Sequence, residues 1–199
     1  MELLPIKRAL LSVTDKSGLP ELARFLVDHG VELVSTGGTK KMLAQAGLPV
    51  TSVSDVTGFP EILGGRVKTL HPHIHAGVLA DKDNAEHLAT LEEKKIAAFD
   101  LICVNLYDFA RAVAQSLDFK AAVEQIDIGG PTLLRAGAKN FHSITVLPGS
   151  GDYPAFIEEF TRHDMQVSLA FRRAMAVKTF SLVSGYDQMI AEYLGRDDL

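Results

Sequence analysis

Apolar runs of four or five residues alternate with amphipathic segments along the first quarter of the chain. Each run is short enough for a buried strand, and each amphipathic segment repeats its apolar residues at helical spacing. A polar turn that contains glycine separates strand from helix in both units. The units read strand, turn and helix at residues 9–13, 14–18 and 19–27, and again at residues 31–34, 35–39 and 40–46. This order predicts an α/β fold with a parallel open sheet and flanking helices.

The same reading extends over the rest of the chain. Strands are predicted at residues 75–80, 101–104 and 143–147, and helices at residues 84–95, 109–113, 119–123 and 153–161. Residues 51–61 read as turn-rich, and Pro131 suits the first turn of a further helix. Residues 166–194 are predicted to form one or two helices broken near Gly185, followed by a loose end at residues 195–199. We predict one domain over residues 1–199, with residues 166–194 as a C-terminal helical extension.

Composition and charge limit the possible partners. The chain has 199 residues, of which 47% are hydrophobic, and a formal net charge of -5. The acidic balance argues against a nucleic-acid surface, and no apolar run is long enough to span a membrane. The single cysteine, Cys103, fits a reducing compartment and reads as a small buried hydrophobe rather than a nucleophile. Residues 1–8 hold no apolar stretch of signal-peptide length, so we expect a soluble cytoplasmic protein.

The two polar turns lie at equivalent places, between the carboxyl end of a strand and the start of a helix. Such turns collect backbone N–H groups and the positive end of the helix dipole, and so favour phosphate. Lys16 and the hydroxyls of Thr14, Thr36 and Thr39 add donors. Neither turn matches the P-loop or the dinucleotide fingerprint. Ordinary helix capping is the alternative interpretation.

The segment GGRVKTLHPHIHAG, residues 64–77, concentrates cations and histidines. If this stretch is extended, Arg66 and Lys68 point to one side, which in an acidic protein indicates a small anionic ligand. A solvated basic loop is the alternative. The alternating histidines at positions 71, 73 and 75 could bind zinc, but Pro72 breaks the alternation and no cysteine or carboxylate accompanies them. A structural role is therefore favoured for the three histidines, and no metal is predicted.

Two further polar groups follow strands or precede a helix. Asn105 and Tyr107 stand at the carboxyl end of the predicted strand 101–104, where open parallel sheets place ligands. Asp127 precedes the glycines of IDIGGPT, and it could act on a ligand, cap the helix or pair with Arg135. Arg135 and Lys139 are four residues apart and share a helix face.

Several blocks, taken together and in order, resemble one family. They are LLSVTDKSGLPELARFL, STGGTKKML, VSDVTGFPEILGGRVKTLHPHIHAG, DLICVNLY, VEQIDIGGPTLLRAGAKN and FRRAMAVKTF with YDQMIAEYL. The chain is similar over nearly its whole length to the IMP cyclohydrolase domain of the bifunctional purine biosynthesis enzyme. The resemblance implies a methylglyoxal-synthase-like domain that closes 5-formamidoimidazole-4-carboxamide ribotide to inosine monophosphate and water. It implies a purine nucleotide as the small-molecule substrate and no cofactor.

The resemblance also implies roles for individual residues. Lys139 and Asp127 match positions that act on the carboxamide, and Lys68 and Tyr107 match positions near the formyl group. Which lysine is acid and which is base stays open. The remaining matched positions would bind the substrate, with the phosphate on the two turns and Asn105 on the base: Ser12, Thr14, Lys16, Thr36, Gly37, Gly38, Thr39, Arg66, Thr69, Asn105, Ile128 and Gly129.

The sequence departs from the family pattern in three respects. Asp108 stands where the family usually has a proline, which changes the loop after Tyr107. Gly137 interrupts a run of small residues, which should cost roughly 1 kcal/mol of helix propensity. The formyltransferase domain does not follow, as in a stand-alone enzyme or a piece of a longer protein. Because that domain provides much of the family's dimer contact, we expect a weak or smaller homodimer.

Two other functions stay open at this point. Methylglyoxal synthase shares the fold and the phosphate site, although the KTLHP and IDIGG blocks favour the cyclohydrolase. A regulatory module of the same fold would bind a nucleotide without turning it over. Such a module would have no reason to keep Lys68, Tyr107, Asp127 and Lys139 together.

Overall fold

A five-stranded parallel sheet forms the centre of the fold in the computed structural model, which describes residues 1–114 and 117–196. The strands are β1 Leu3–Pro5, β2 Arg8–Ser12, β3 Glu32–Ser35, β4 Thr51–Ser52, β5 Leu101–Val104, β6 Thr145–Leu147 and β7 Gln166–Ser168. The helices are α1 Leu19–Asp28, α2 Gly37–Gln45, α3 Val53–Thr57, α4 Pro72–Leu79, α5 Ala85–Glu93, α6 Phe109–Ala114, α7 Phe119–Val123, α8 Gly129–Lys139, α9 Tyr153–Arg162 and α10 Leu169–Leu194.

The sheet order is β4-β3-β2-β5-β6, and every neighbouring pair is parallel. Leu10 of β2 lies opposite Val34 of β3 on one side and Ile102 of β5 on the other. All four residues of β5 are buried, as expected for a central parallel strand that is covered on both faces. The predicted fold class is confirmed.

Each face of the sheet packs against its own set of helices. Leu11 and Cys103 point to a cluster that includes α1 and α9, and Leu10 and Ile102 point to a cluster that includes α4, α8 and α10. Helix α8 approaches β5 closely at Gly137, because a Cβ there would collide with Cδ1 of Ile102. The glycine that interrupts the family pattern therefore has a packing reason.

Helix α10 ties distant parts of the chain together. The side chain of Arg172 is fully buried and donates hydrogen bonds to the carbonyl oxygens of Met1, Phe141, His142 and Val167. Strand β1 pairs with β7 in a separate antiparallel two-stranded sheet, with Leu4 opposite Val167. Neither short strand has an alternating pattern long enough to be read from sequence.

The structure corrects four local predictions. Residues 75–80 are helical in α4 rather than a strand, because Ile74, Gly77 and Val78 bury one face at helical spacing. The extended course on which the shared side of Arg66 and Lys68 was conditional is absent, because residues 63–65 form a 3-10 turn and α4 begins at Pro72. The turn-rich segment at residues 51–61 contains β4 and the capped helix α3.

Residues 166–168 belong to β7, and α10 continues without a break through Gly185. Gly185 faces open space, and the buried Val183 and Tyr186 beside it hold the helix by packing, which outweighs its poor propensity. The predicted loose end begins at Gly195, and residues 197–199 lie outside the described part of the chain. The other predicted strands and helices are confirmed, with ends that differ by a few residues.

Candidate active site

The carboxyl ends of β2, β3 and β5 open into a cleft of about 840 Å³. Among the predicted site residues, it is lined by Ser12, Thr14, Lys16, Thr36, Gly38, Thr39, Arg66, Lys68, Thr69, Asn105, Tyr107, Asp127, Ile128 and Gly129. Gly37 lines a neighbouring cavity of about 270 Å³, which shares Thr36 and Lys68 with the cleft. Lys139 lines neither cavity.

Asn105 holds the first polar turn in place. Its Oδ1 accepts the N–H groups of Thr14 at 2.6 Å and Asp15 at 3.2 Å, and its Nδ2 donates to the carbonyl oxygen of Asp15 at 2.7 Å. Asp15 in turn accepts hydrogen bonds from Ser17 and Ser150, which lower the pKa of its carboxyl. The Asn105 amide is thus engaged at both ends, and its contact with the base stays a prediction.

The second polar turn is the start of α2. Thr36 does not cap this helix through its side chain, and its Oγ1 lies 3.0 Å from Oγ of Ser12 instead. The hydroxyl of Thr39 donates to the carbonyl oxygen of Val13 at 3.0 Å, which joins the two turns. The first N–H groups of α2 therefore have no side-chain cap among the described residues, which suits an anionic ligand.

Lys68 lies between the second turn and a carboxylate. Its Nζ is 3.6 Å from Oε1 of Glu61, and a Cβ at Gly37 would be 3.8 Å from the same Nζ. Gly65 has a φ of 93°, and a Cβ on it would collide with Lys68 and Glu61. This glycine therefore makes room for both side chains, and its backbone angle is one that other residues rarely adopt.

The opposite wall of the cleft comes from the segment between α7 and α8. Arg66 forms an ion pair with Glu124, and both side chains are largely exposed. Thr69 approaches the start of α8 closely, since a Cβ at Gly129 would be 3.1 Å from its Oγ1. These contacts bring the cationic segment against the IDIGG block.

Asp127 is the most buried carboxylate of the cleft wall. Its Oδ1 accepts the N–H of Gly130 at 2.8 Å, so it does cap α8, whereas no bond joins it to Arg135 in the described residues. Burial raises the pKa of its carboxyl, although hydrogen bonds from the backbone and the charge of Lys68 act in the opposite direction. A carboxylate that holds its proton more strongly is a better general base.

Tyr107 and Ile128 have exposed side chains at the mouth of the cleft, with 45% and 59% of their surface accessible. Asp108, the residue that departs from the family pattern, accepts the N–H of Arg111 at 3.0 Å. It thereby caps the start of α6 directly after Tyr107.

Lys139 ends α8 on the exposed surface. Ten residues separate it from Gly129, which corresponds to about 15 Å of helix. Within one chain, α8 thus carries Lys139 away from the cleft that Asp127 lines. The catalytic role that the resemblance implies for Lys139 stays a prediction.

The histidines and the cysteine belong to the fold. His71 precedes α4 and accepts the N–H of His73 through Nδ1, and His73 contacts the carbonyl oxygen of Val56. In the described parts of the chain, no three His, Cys, Asp or Glu side chains are grouped so as to hold a metal ion. Burial raises the pKa of Cys103 to about 12, which supports its interpretation as a buried hydrophobe.

Sequence reasoning missed several residues that shape the cleft. Glu61, Gly65 and Glu124 contact the predicted cations, and Gly130 leaves space for Oδ2 of Asp127. Tyr186, a residue of α10, accepts a hydrogen bond from the backbone N–H of Asp127. The glycine pairs at 64–65 and 129–130 were the available signal, since paired glycines indicate a close approach of other groups to the backbone.

A family model described as MGS-like domain matches residues 18–132, which is more than half of the chain. The chain belongs to the MGS-like domain family. A second family model, described as AICARFT/IMPCHase bienzyme, matches residues 137–198. The MGS-like match covers the second turn and the cleft wall from Arg66 to Gly130, and the second match covers the whole of α10. No helix in the described ranges is both long and apolar enough to cross a membrane.

Three relatives and one solved structure illustrate the similarity. The relatives are bifunctional purine biosynthesis proteins PurH from Ruegeria pomeroyi, Clostridium kluyveri and Sinorhizobium medicae, with 48%, 51% and 52% identity over 193, 193 and 188 residues. The matches cover 97%, 97% and 94% of this chain but only 36%, 38% and 35% of those proteins. The crystal structure of ForH matches with a TM-score of 0.84 and 32% identity, covering 95% of this chain and 97% of that one. The resemblance indicated by the sequence blocks is confirmed.

Proposed function

We propose that this chain is an IMP cyclohydrolase, which closes 5-formamidoimidazole-4-carboxamide ribotide to inosine monophosphate and water. One observation carries the proposal. A single cleft joins an anion-binding corner, made by the two turns and Lys16, to a partly buried carboxylate, Asp127, whose pKa is raised by burial. A phosphorylated substrate held at the corner would present its ring to Asp127, Lys68 and Tyr107.

The first step forms the new ring bond. The carboxamide nitrogen attacks the formyl carbon, and its proton passes to the carboxylate of Asp127. The formyl oxygen takes a proton from the ammonium of Lys68, which lies close enough for its charge to act on Asp127. Proximity of the two groups of one substrate and proton transfer by placed side chains are the main sources of rate.

The second step removes water. The C–O bond of the cyclic intermediate breaks, and the hydroxyl leaves with the proton that Asp127 carries. The former formamide nitrogen loses its proton to Lys68, and a C=N bond forms in the ring. Both side chains thus return to their starting states, and no redox cofactor takes part. Tyr107, exposed at the mouth of the cleft, is proposed to donate a hydrogen bond to the formyl oxygen.

The remaining assignments follow from the same proposal. The reaction belongs to the cyclic amidine-bond hydrolases, run in the ring-closing direction, and serves purine biosynthesis. The substrate is a purine nucleotide precursor, and neither nucleic acid nor a membrane is a proposed partner. A homodimer and a cytoplasmic location are proposed on the family resemblance.

The test is an absorbance assay, because ring closure changes the chromophore. Purified protein should convert the formyl substrate and leave the aminoimidazole ribotide, which lacks the formyl group, unchanged. Asp127→Asn is the matched inactive control. Tight binding of inosine monophosphate without turnover would favour the regulatory module. Conversion of a triose phosphate alone would overturn the proposal in favour of methylglyoxal synthase.

A further inference from the structure

The closing segment of the chain lies outside the cleft but contacts its wall. No residue of α10 lines the cleft, yet the N–H of Asp127 donates to Oη of Tyr186 at 2.8 Å. Tyr186 is 6% exposed, and 59 residues separate it from Asp127 in sequence. The hydrogen bond therefore links the C-terminal helix directly to the proposed base.

The N–H of Asp127 has a different kind of acceptor from the N–H groups that precede it in the same segment. The two preceding N–H groups, of Gln125 and Ile126, donate to nearby carbonyl oxygens of α7, at Ala122 and Val123. The N–H of Asp127 instead reaches a side chain from a remote helix. Its carboxylate accepts the N–H of Gly130, so the residue is held from both its main chain and its side chain.

Tyr186 is itself held firmly. Its ring packs edge to face on Phe109, with centroids 6.5 Å apart, in a buried cluster that also contains Ala122 and Tyr193. Helix α10 is anchored further back by the buried Arg172, which binds four carbonyl oxygens. The position of the Tyr186 hydroxyl is thus fixed by packing rather than by the loop that it contacts.

We propose that Tyr186 is a positioning residue for ring closure, which fixes the carboxylate of Asp127 in the cleft by accepting its backbone N–H. The inference rests on the proposed function, in which Asp127 takes the carboxamide proton. It assigns a task to the YDQMIAEYL block, which contributes no residue to the cleft. Without the hydroxyl, a partly buried N–H would lose its acceptor, and the segment would shift to reach another one.

Tyr186→Phe tests the proposal, because it keeps the ring and removes only the acceptor. Tyr193→Phe is the matched control, since Tyr193 shares the aromatic cluster and its hydroxyl makes no hydrogen bond within the described residues. Tyr186→Phe should lower kcat by about tenfold to a hundredfold, the scale of a small misplacement of a catalytic group, with KM changed less than about twofold. Amide hydrogen exchange at Asp127 should become faster in Tyr186→Phe and stay unchanged in Tyr193→Phe.

Several outcomes would overturn the inference. A kcat equal to that of Tyr193→Phe would remove the positioning role. A lower melting temperature with an unchanged ratio of kcat to KM would assign the hydroxyl to stability alone. If the unmodified protein does not close the ring, the proposed function fails on its own. In that case the exchange rate at Asp127, with and without inosine monophosphate, still decides whether Tyr186 holds the segment.

Discussion

Nζ of Lys68 lies 3.6 Å from Oε1 of Glu61, and the two side chains meet over the α-carbon of Gly65. The pair is partly exposed, so its attraction adds little to stability. Its consequence is geometric, because Glu61 and Gly65 together define where the ammonium of Lys68 can stand in the cleft.

Gly65→Ala should therefore lower turnover more than it lowers stability. The added Cβ collides with Lys68 and Glu61, and displacing a proton donor should cost about tenfold or more in kcat. Gly64→Ala is the control, because Gly64 also has a positive φ, 62°, but nothing lies within 4 Å of its Cβ position. Both variants should unfold at somewhat lower temperature, and equal losses of kcat in the two would contradict the role of Gly65.

Lys16→Ala should weaken nucleotide binding selectively. Lys16 donates to the carbonyl oxygen of Thr14 at 3.2 Å and lines the anion-binding corner. Loss of a charged hydrogen bond to phosphate should reduce the affinity for inosine monophosphate by about tenfold to a hundredfold. Calorimetry should find the weak binding of inosine unchanged. Lys41→Ala, on the exposed side of α2, should affect neither ligand, and equal losses for nucleotide and nucleoside would exclude phosphate recognition by Lys16.

Asp127→Asn should remove turnover and raise stability at neutral pH. The amide oxygen can still accept the N–H of Gly130, but the base is lost, so turnover should fall about a hundredfold or more. Burial raises the pKa of Asp127 above its ordinary 3.8, so the folded protein binds a proton that the unfolded chain releases. The stability of the unmodified protein should therefore fall as the pH rises above about 4 through the folded pKa.

Melting temperatures measured from pH 3 to pH 8 test whether stability falls, as expected, when the pH rises. The advantage of Asp127→Asn should be largest at neutral pH and vanish below about pH 4, where the carboxyl is protonated in both states. An advantage that is constant across this range would mean that ionisation of Asp127 does not limit stability.

The role expected of Lys139 and its position in the structure do not agree within one chain. The resemblance gives it a catalytic role, and α8 carries it away from the cleft. The two would agree in a homodimer in which Lys139 of one copy entered the cleft of the other, as the two-fold symmetry of dimers allows. Lys139→Ala should then lower turnover about a hundredfold. A mixture of Lys139→Ala and Asp127→Ala chains should regain part of the activity.

Arg135→Ala is the control for that mixture, because Arg135 lies one turn earlier on the same exposed face, over the ring of Phe180. It should keep full turnover. Full turnover in Lys139→Ala would end the catalytic assignment. A loss without recovery on mixing would place Lys139 in the cleft of its own chain or in a structural role.

Gly137→Ala should destabilise the protein although alanine is the better helix former. The added methyl group collides with Ile102, which is fully buried in β5, and overpacking costs typically 1–3 kcal/mol, of which the helix propensity of alanine offsets roughly 1 kcal/mol. Ile102→Val removes the colliding Cδ1. In denaturant unfolding, the double variant should be more stable than the sum of the single effects predicts, and strict additivity would contradict the contact.

Sequence alone predicts the parts of this fold that depend on local pattern. The apolar residues of strand β5 and of helices α1 and α9 are regularly spaced, so the local pattern alone predicts these elements. The strand predicted at residues 75–80 belongs instead to helix α4, in which Ile74 and Val78 bury one face at helical spacing. Strands β1 and β7 are three residues each, and only their pairing with one another identifies them.

The candidate site likewise has parts that the sequence predicts and parts that it does not. The turns that hold Lys16 and Thr39 follow strand ends, where the topology of parallel sheets already places ligands. The contacts of Glu61 with Lys68 and of Tyr186 with Asp127 join segments that carry no mutual signal in sequence. Such contacts depend on how the long loops and the last helix pack in the folded protein, so local sequence patterns do not predict them.

Because β1 pairs with β7, the small antiparallel sheet cannot form during synthesis until most of the chain has been made. Leu3–Pro5 is synthesised well before its partner strand Gln166–Ser168 and the anchor Arg172, which lies 171 residues after Met1. Contacts of such long sequence separation slow folding. A nascent or truncated chain that stops before β7 keeps β1 as an open edge, and such edges recruit strands of other molecules. Aggregation of interrupted chains, rather than loss of the central sheet, is the failure that this topology favours.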